Sequence, residues 1–303
     1  MSLSTPVVLI VFNRPETTRR VLQQIRTARP SRLFVVGDGP RPSCPTDEEK
    51  CRKVRDCVDE LVDWPCKVDF NYADTNLGCK QRVISGLNWV FDHAEQAIIL
   101  EDDCLPSNSF FHFCDEVLRR YKNENKVMTI SGNNFQKGIK RTKYSYYFSR
   151  YMHCWGWATW RRAWDLFDED MTHWSQVRDD GWLRYLFDYA YAVPYWKDKL
   201  EQAYQGKVDS WAYPWQFSIW MHAGLNVLPE RNLVSNVGVG TEATHTREER
   251  WYTNLQRHDL TFPLRHPDFI IRHKQADIFT QNNNYQRSLK SRIVGAMKYY
   301  FKS

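Results

Sequence analysis

Within its first hundred residues the chain alternates between short apolar runs and amphipathic stretches, and that rhythm leaves few folds open. PVVLIVF (6–12), RLFVVGD (32–38), KVDFNY (67–72) and QAIILEDD (96–103) all have strand length. The first, second and fourth are too continuously apolar for a half-exposed strand, which predicts burial on both faces. Between them, Pro15 opens a helical pattern with Val21, Leu22 and Ile25 on one face, and Pro30 closes it. Thr46 and Glu49 have the spacing of a capping box ahead of Val54, Cys57, Val58, Leu61 and Val62. CKQRVISGLNWVFDH (79–93) reads as a third helix. A β-α-β-α-β-α-β order implies an α/β fold: a mainly parallel, Rossmann-like sheet with right-handed crossovers and helices on both faces.

Beyond Asp103 the pattern predicts a helix from about Ser109 to Lys122, a strand at VMTIS (127–131) and an aromatic segment at 144–164. Helices and loops are expected over 165–220, and two short strands around a turn in LNVLPERNLVSNVG (225–238). No Gly-, Ser- or Pro-rich linker and no repeat divides the chain. The expected organisation is one domain over 1–265, in halves 1–105 and 106–265, with 266–303 as an extension. Of 303 residues 42% are hydrophobic, enough to bury a core, which excludes a disordered or collagen-like chain. No apolar run reaches the 18 residues of a bilayer span. MSLSTPVVLIVFNRPE lacks the basic start and cleavage site of a signal peptide. The eight cysteines (44, 51, 57, 66, 79, 104, 114, 154) contain no C-x-x-C pair and read as free thiols of a reducing compartment. A cytoplasmic location is therefore expected. The charge balance, 42 − 36 = +6, is spread rather than clustered. That favours an anionic small molecule over nucleic acid as partner.

The chemistry is concentrated where Ala97-Ile98-Ile99-Leu100 runs into Glu101-Asp102-Asp103. Ligands of parallel sheets bind beyond the carboxyl ends of strands. Three carboxylates in such a place repel one another unless a cation or hydrogen-bond donors are present, and a hard divalent ion, Mn²⁺ or Mg²⁺, is a natural partner. The bland alternative is an acidic helix cap in solvent. Other landmarks are Phe12-Asn13-Arg14 at the end of the first strand and Asp38 after the second. Three Trp surround Gly156 in HCWGWATW (153–160), where Gly lets backbone approach a ligand and indole faces suit sugar rings. Asp209 lies among aromatics in VDSWAYPW (208–215). GVGTEA (238–243) fits a dinucleotide fingerprint only weakly, because no apolar helix follows it.

IILEDDCLPSNSFFHFCDEVL (98–118) resembles the acidic segment of GT-A-fold nucleotide-sugar glycosyltransferases, and most of all the inverting N-acetylglucosaminyltransferases that act on mannose. The resemblance extends over 6–246 and is strongest at 96–118. It implies that 1–105 is a nucleotide-binding half and 106–265 an acceptor half, with a UDP-sugar donor and a saccharide or glycolipid acceptor. Donor contacts are then expected from Asn13, Arg14, Asp38 (to uracil), Arg82 (to phosphate), Glu101, Asp102, Gly156 and Trp157. Acceptor contacts fall to Trp155 and Trp211, and metal ligation to Asp103 and His245. The general base is expected at Asp209, with Asp198 or the Asp179-Asp180 pair as alternatives.

Two other readings stay open. A nucleotidyltransferase would use the same sheet and ion, but would carry a Gly-rich loop where Phe12-Asn13-Arg14-Pro15-Glu16 stands. A non-catalytic carbohydrate-binding protein would need only the Trp cluster. The tail, SLKSRIVGAMKYYFK (288–302), is either a helix docked on its own domain or a segment lying on an anionic membrane surface.

Overall fold

The apolar runs become the strands of a mixed eight-stranded sheet. The computed structural model describes residues 3–238, 251–285 and 289–301. The nucleotide-type rhythm comes first: β1 (Val7–Val11), α1 (Pro15–Ala28), β2 (Arg32–Gly37), α2 (Asp47–Leu61), β3 (Lys67–Tyr72), α3 (Gly78–His93) and β4 (Gln96–Glu101). Next come β5 (Cys104–Pro106), α4 (Asn108–Arg120), β6 (Val127–Ser131), β7 (Tyr146–Ser149) and β8 (Trp157–Trp160). Short helices α5 (Arg161–Trp164), α6 (Trp174–Asp179) and α7 (Leu183–Leu186) lead to α8 (Ala192–Tyr204) and α9 (Ala212–Met221). Then follow β9 (Leu225–Pro229), β10 (Val234–Asn236), α10 (Lys274–Thr280) with a π turn at Gln281–Tyr285, and α11 (Leu289–Phe301).

The sheet order is β3-β2-β1-β4-β8-β6-β9-β7. β1 to β4 are parallel, and β8 and β7 run against the rest. The period-2 geometry of a strand divides each apolar run between two cores. Val7, Leu9, Val11, Leu33, Val35, Ile98 and Leu100 face α1, α2 and α4. Val8, Ile10, Phe34, Val36, Ala97 and Ile99 face α3, α5 and α9. Continuous apolar runs thus serve both faces, and the helices cover both.

One local expectation is corrected. Thr46 precedes α2 but its side chain makes no capping hydrogen bond; its hydroxyl lies 3.5 Å from Cys44 Sγ instead. The two short strands expected in 225–238 are present as β9 and β10. β9 joins the main sheet between β6 and β7, whereas β10 pairs antiparallel with β5.

This topology positions the site. The chain leaves β1 toward β2 and β3, then returns to place β4 on β1's other side, so the order reverses between β1 and β4. The crevice at such a reversal is where open α/β sheets bind ligands.

Candidate active site

A cavity of about 670 Å³ opens at that reversal, lined from the ends of β1 (Ile10, Val11, Phe12, Arg14), β2 (Asp38, Arg41) and β4 (Glu101, Asp102, Asp103). Its size is within the range of small-molecule sites. Register places Ile10 beside Glu101, and the chain then turns at Asp102. The Asp102 carboxylate accepts the Phe12 N–H at 3.2 Å. Arg14 Nη1 reaches Asp102 Oδ1 at 3.3 Å and Asp103 Oδ2 at 2.9 Å. One guanidinium therefore faces three acids. Burial, together with repulsion from Asp103 and Asp102, pushes Glu101 up to about 8. Burial also raises Asp102 to about 7, with Asp103 adding to the rise and Arg14 opposing it.

The donor-side residues expected from the sequence behave differently from one another. Arg14, Glu101 and Asp102 line the cavity together. Asn13 does not: its Nδ2 donates to the buried Asp47 carboxylate at 2.7 Å, which also holds Arg41 through Nε and Nη2. Asp38 is at the cavity edge, yet its carboxylate already accepts from the N–H groups of Gly39, Leu77 and Gly78 and from Asn76 Nδ2. A carboxylate has about four acceptor positions, so Asp38 braces the 76–78 loop and has no vacancy for a uracil N–H. Arg82 is buried. It donates to the carbonyls of Gly37 and Asn71, to Asn71 Oδ1 and to Ser85 Oγ, and so ties α3 to the ends of β2 and β3. Desolvation lowers its pKa. It is neither an open phosphate ligand nor a solvated surface residue.

The Trp cluster is mostly core. Trp157 is 1% exposed, stacks on Trp211 with centroids 5.2 Å apart, and is not part of the cavity lining. Trp211 is itself buried, although it reaches the lining. Gly156 adopts φ +61° and packs against Val234 and Leu100, so its backbone meets the core rather than the cavity. Trp155 alone of the three in 155–160 lines the cavity, in an aromatic corner with Phe135 and Tyr252 at 5.4 and 5.6 Å. Further Trp residues, at 174, 196 and 220, build a separate helical core.

Sequence reasoning missed Arg41 and Asn133 and gave no individual role to Phe12 and His153; all four line the cavity. Asn133 could have been found by the logic used for the acids. β6 runs in the same direction as β4, so residues just after VMTIS emerge at the same edge of the sheet. Asn133 Oδ1 accepts the Trp155 N–H at 3.2 Å, and burial pushes the His153 imidazole down to about 3.

Of the expected base candidates, Asp209 lines the cavity. Its two oxygens accept the N–H groups of Cys79 and Lys80 at 3.0 Å each, at the first turn of α3. Asp198 is exposed on α8 and bonds Gln202. Asp179 pairs with Arg178, and Asp180 is solvent-exposed. Neither site is part of the cavity lining.

His245 lies outside the described residues. The approach to it is described: β10 pairs with β5, and the Val237 N–H donates to the Asp103 carbonyl at 2.8 Å. Gly238 passes so close that a Cβ there would collide with the Asp103 carboxylate. Among the described residues no group of three His, Cys, Asp or Glu side chains converges on one point. A largely buried acidic tip, whose ion pairs among the described residues are both to Arg14, fits a hard divalent ion that takes its remaining ligands from phosphate and water.

No protein-family model matches the chain, and no curated protein matches it. Among solved structures it is similar to a mannosyltransferase from Pyrobaculum calidifontis in complex with GDP-Man and Mn²⁺, at 15% identity over 55% of this chain and 46% of that one, with TM-score 0.36. It is also similar to a UTP-bound UGPase from Acinetobacter baumannii, at 8% identity over 77% and 88%, with TM-score 0.39. A 4-diphosphocytidyl-2C-methyl-D-erythritol synthase from Anaerococcus prevotii matches at 10% identity over 54% and 74%, with TM-score 0.34. The chain spans less than half the length of the mannosyltransferase. Similarities this slight bear on neither substrate nor mechanism.

Arg14→Met should destabilise the fold by ~3 kcal/mol in urea melts at alkaline pH, because it strands partly buried carboxylates. The sign follows from their raised values. Glu101 and Asp102 charge in the folded state only as pH climbs toward about 8 and about 7, so the loss is full above that range. It shrinks as pH falls through those two values, and the part owed to Glu101 and Asp102 is gone once both are protonated in the folded state, because the unfolded chains of parent and variant titrate alike. Trp157→Ala should cost ~3–5 kcal/mol of stability, as for other buried aromatics, whereas Trp155→Ala should leave the melting curve nearly unchanged.

Proposed function

We propose that the chain is a metal-dependent glycosyltransferase that moves a sugar from a nucleoside-diphosphate donor to a saccharide or lipid-linked acceptor with inversion. The observation that carries this reading is the placing of Glu101, Asp102, Asp103 and Arg14 at the floor of a cavity at the β1/β4 reversal. A diphosphate brings concentrated negative charge, and an acidic tip can hold it only through a cation. Asp103 is the residue that would bind Mn²⁺ or Mg²⁺, with His245 as the second ligand implied by the resemblance. A bound divalent ion would offset the charge that builds on the departing diphosphate.

The remaining roles fall to the chain's own side chains. Asp209 is oriented by two backbone amides, which leaves one lone pair on each oxygen. It takes the proton from an acceptor hydroxyl. The freed oxygen attacks the anomeric carbon as the bond to the diphosphate breaks and the leaving group carries away the electron pair. Trp155 and its aromatic neighbours offer flat apolar faces to sugar rings and exclude water. UDP is the donor nucleotide that the resemblance implies. With Asp38 occupied by the 76–78 loop, base selection would rest on Phe12 and Arg41, whose guanidinium carbon lies 5.4 Å from the Phe12 ring centroid.

A nucleotidyltransferase needs free backbone amides in the β1–α1 turn to cradle a triphosphate. Here that turn is three residues long: the Phe12 N–H is held by Asp102, and Pro15 has none. A carbohydrate-binding module leaves the acidic tip without a role.

A thermal-shift screen of nucleotide-sugars should give Mn²⁺-dependent stabilisation, largest for a UDP-sugar. Asp103→Asn should lower turnover about a hundredfold or more, equivalent to ~3 kcal/mol of barrier, with its melting curve retained. Full turnover in Asp103→Asn, or nucleotide binding indifferent to Mn²⁺, would refute the reading.

A further inference from the structure

Helix α11 packs against α8, yet its other side carries apolar side chains, with Lys290 among them, that no described residue buries. Leu289, Ile293, Val294 and Met297 are 65%, 52%, 41% and 54% exposed. At about 100° per residue, 289, 293 and 297 form one stripe with 294 on its flank. Gly295 is buried against the body of the protein, and Arg292 is half-buried. The outward stripe is therefore not a core face misread from the sequence. It is a second apolar face on a helix that already has its packing partner.

Charge identifies the occupant. Residues 286–303 contain Arg287, Lys290, Arg292, Lys298 and Lys302 and no Asp or Glu. A two-fold contact through this face would bring Lys290 of one copy toward Lys290 of the other in a segment without compensating acids. An anionic bilayer supplies the opposite charge together with an apolar layer into which short side chains can sink. The helix has 13 residues, and no helix among the described residues is long and apolar enough to cross a membrane. It would lie in the plane of the surface.

We propose that the outward face of α11 is a docking surface for anionic lipid bilayers. This goes beyond the glycosyl-transfer reading and does not depend on it, since the test measures lipid binding alone. The full-length protein should co-sediment with phosphatidylcholine vesicles containing about 30 mol % phosphatidylserine, and much less with pure phosphatidylcholine or in high salt. The double variant Ile293→Asp, Met297→Asp changes only exposed positions, so its melting curve should match the parent, while vesicle binding falls at least about tenfold. Lys290→Glu should weaken binding to the anionic vesicles alone. Equal retention of the double variant, or no preference for anionic vesicles, would overturn the proposal. So would a parent that elutes as a dimer and a double variant that elutes as a monomer, because a second copy would then own the face.

Discussion

Everything around the cavity is arranged about a shortage of positive charge. Glu101, Asp102 and Asp103 emerge together from β4 into partly desolvated space, and Arg14 is bonded to the last two. Arg14 is placed there by the strand before it: β1 pairs with β4 in parallel, so both ends arrive at the same edge, and α1 begins at the next residue. The same pairing lets the Phe12 amide bond Asp102. Sheet, turn and charge are one construction, with three carboxylates gathered at one strand end.

Much of this was legible in the sequence, for reasons that can be named. Period and apolar continuity located the strands of the first half within a residue or two, because β1, β2 and β4 feed two cores and tolerate no polar interruption, while β3, at the sheet edge, keeps an alternating pattern. The acidic tip was legible because burial makes three consecutive acids after four apolar residues expensive. The second half was harder. Its strands enter the sheet out of chain order, with β8 inserted between β4 and β6, and no local pattern records which strand a segment will neighbour.

Individual side chains were the least legible part. Asn13, Asp38 and Arg82 carry suitable chemical groups at suitable strand ends, but the loops there need bracing, and these residues do the bracing. A polar side chain near a site must first satisfy buried backbone groups, and a sequence does not show which of those groups will be left unpaired. Trp157 was misplaced for a related reason. Two residues from Trp155, it would share Trp155's face in an unbroken strand, but Gly156 turns the chain between them at φ +61° and β8 begins only at Trp157, so Trp155 lines the cavity and Trp157 does not.

The two amide bonds from Asp209 to the start of α3 have a consequence for how this sheet handles anions. In nucleotide-binding folds of related design, phosphate settles on the bare N–H groups that begin a helix. Here the chain has put one of its own carboxylates on that helix, while the next helix over, α1, opens on proline. The anion seat at the head of α3 is thereby filled from within, and the head of α1 offers one amide fewer than a helix start without proline.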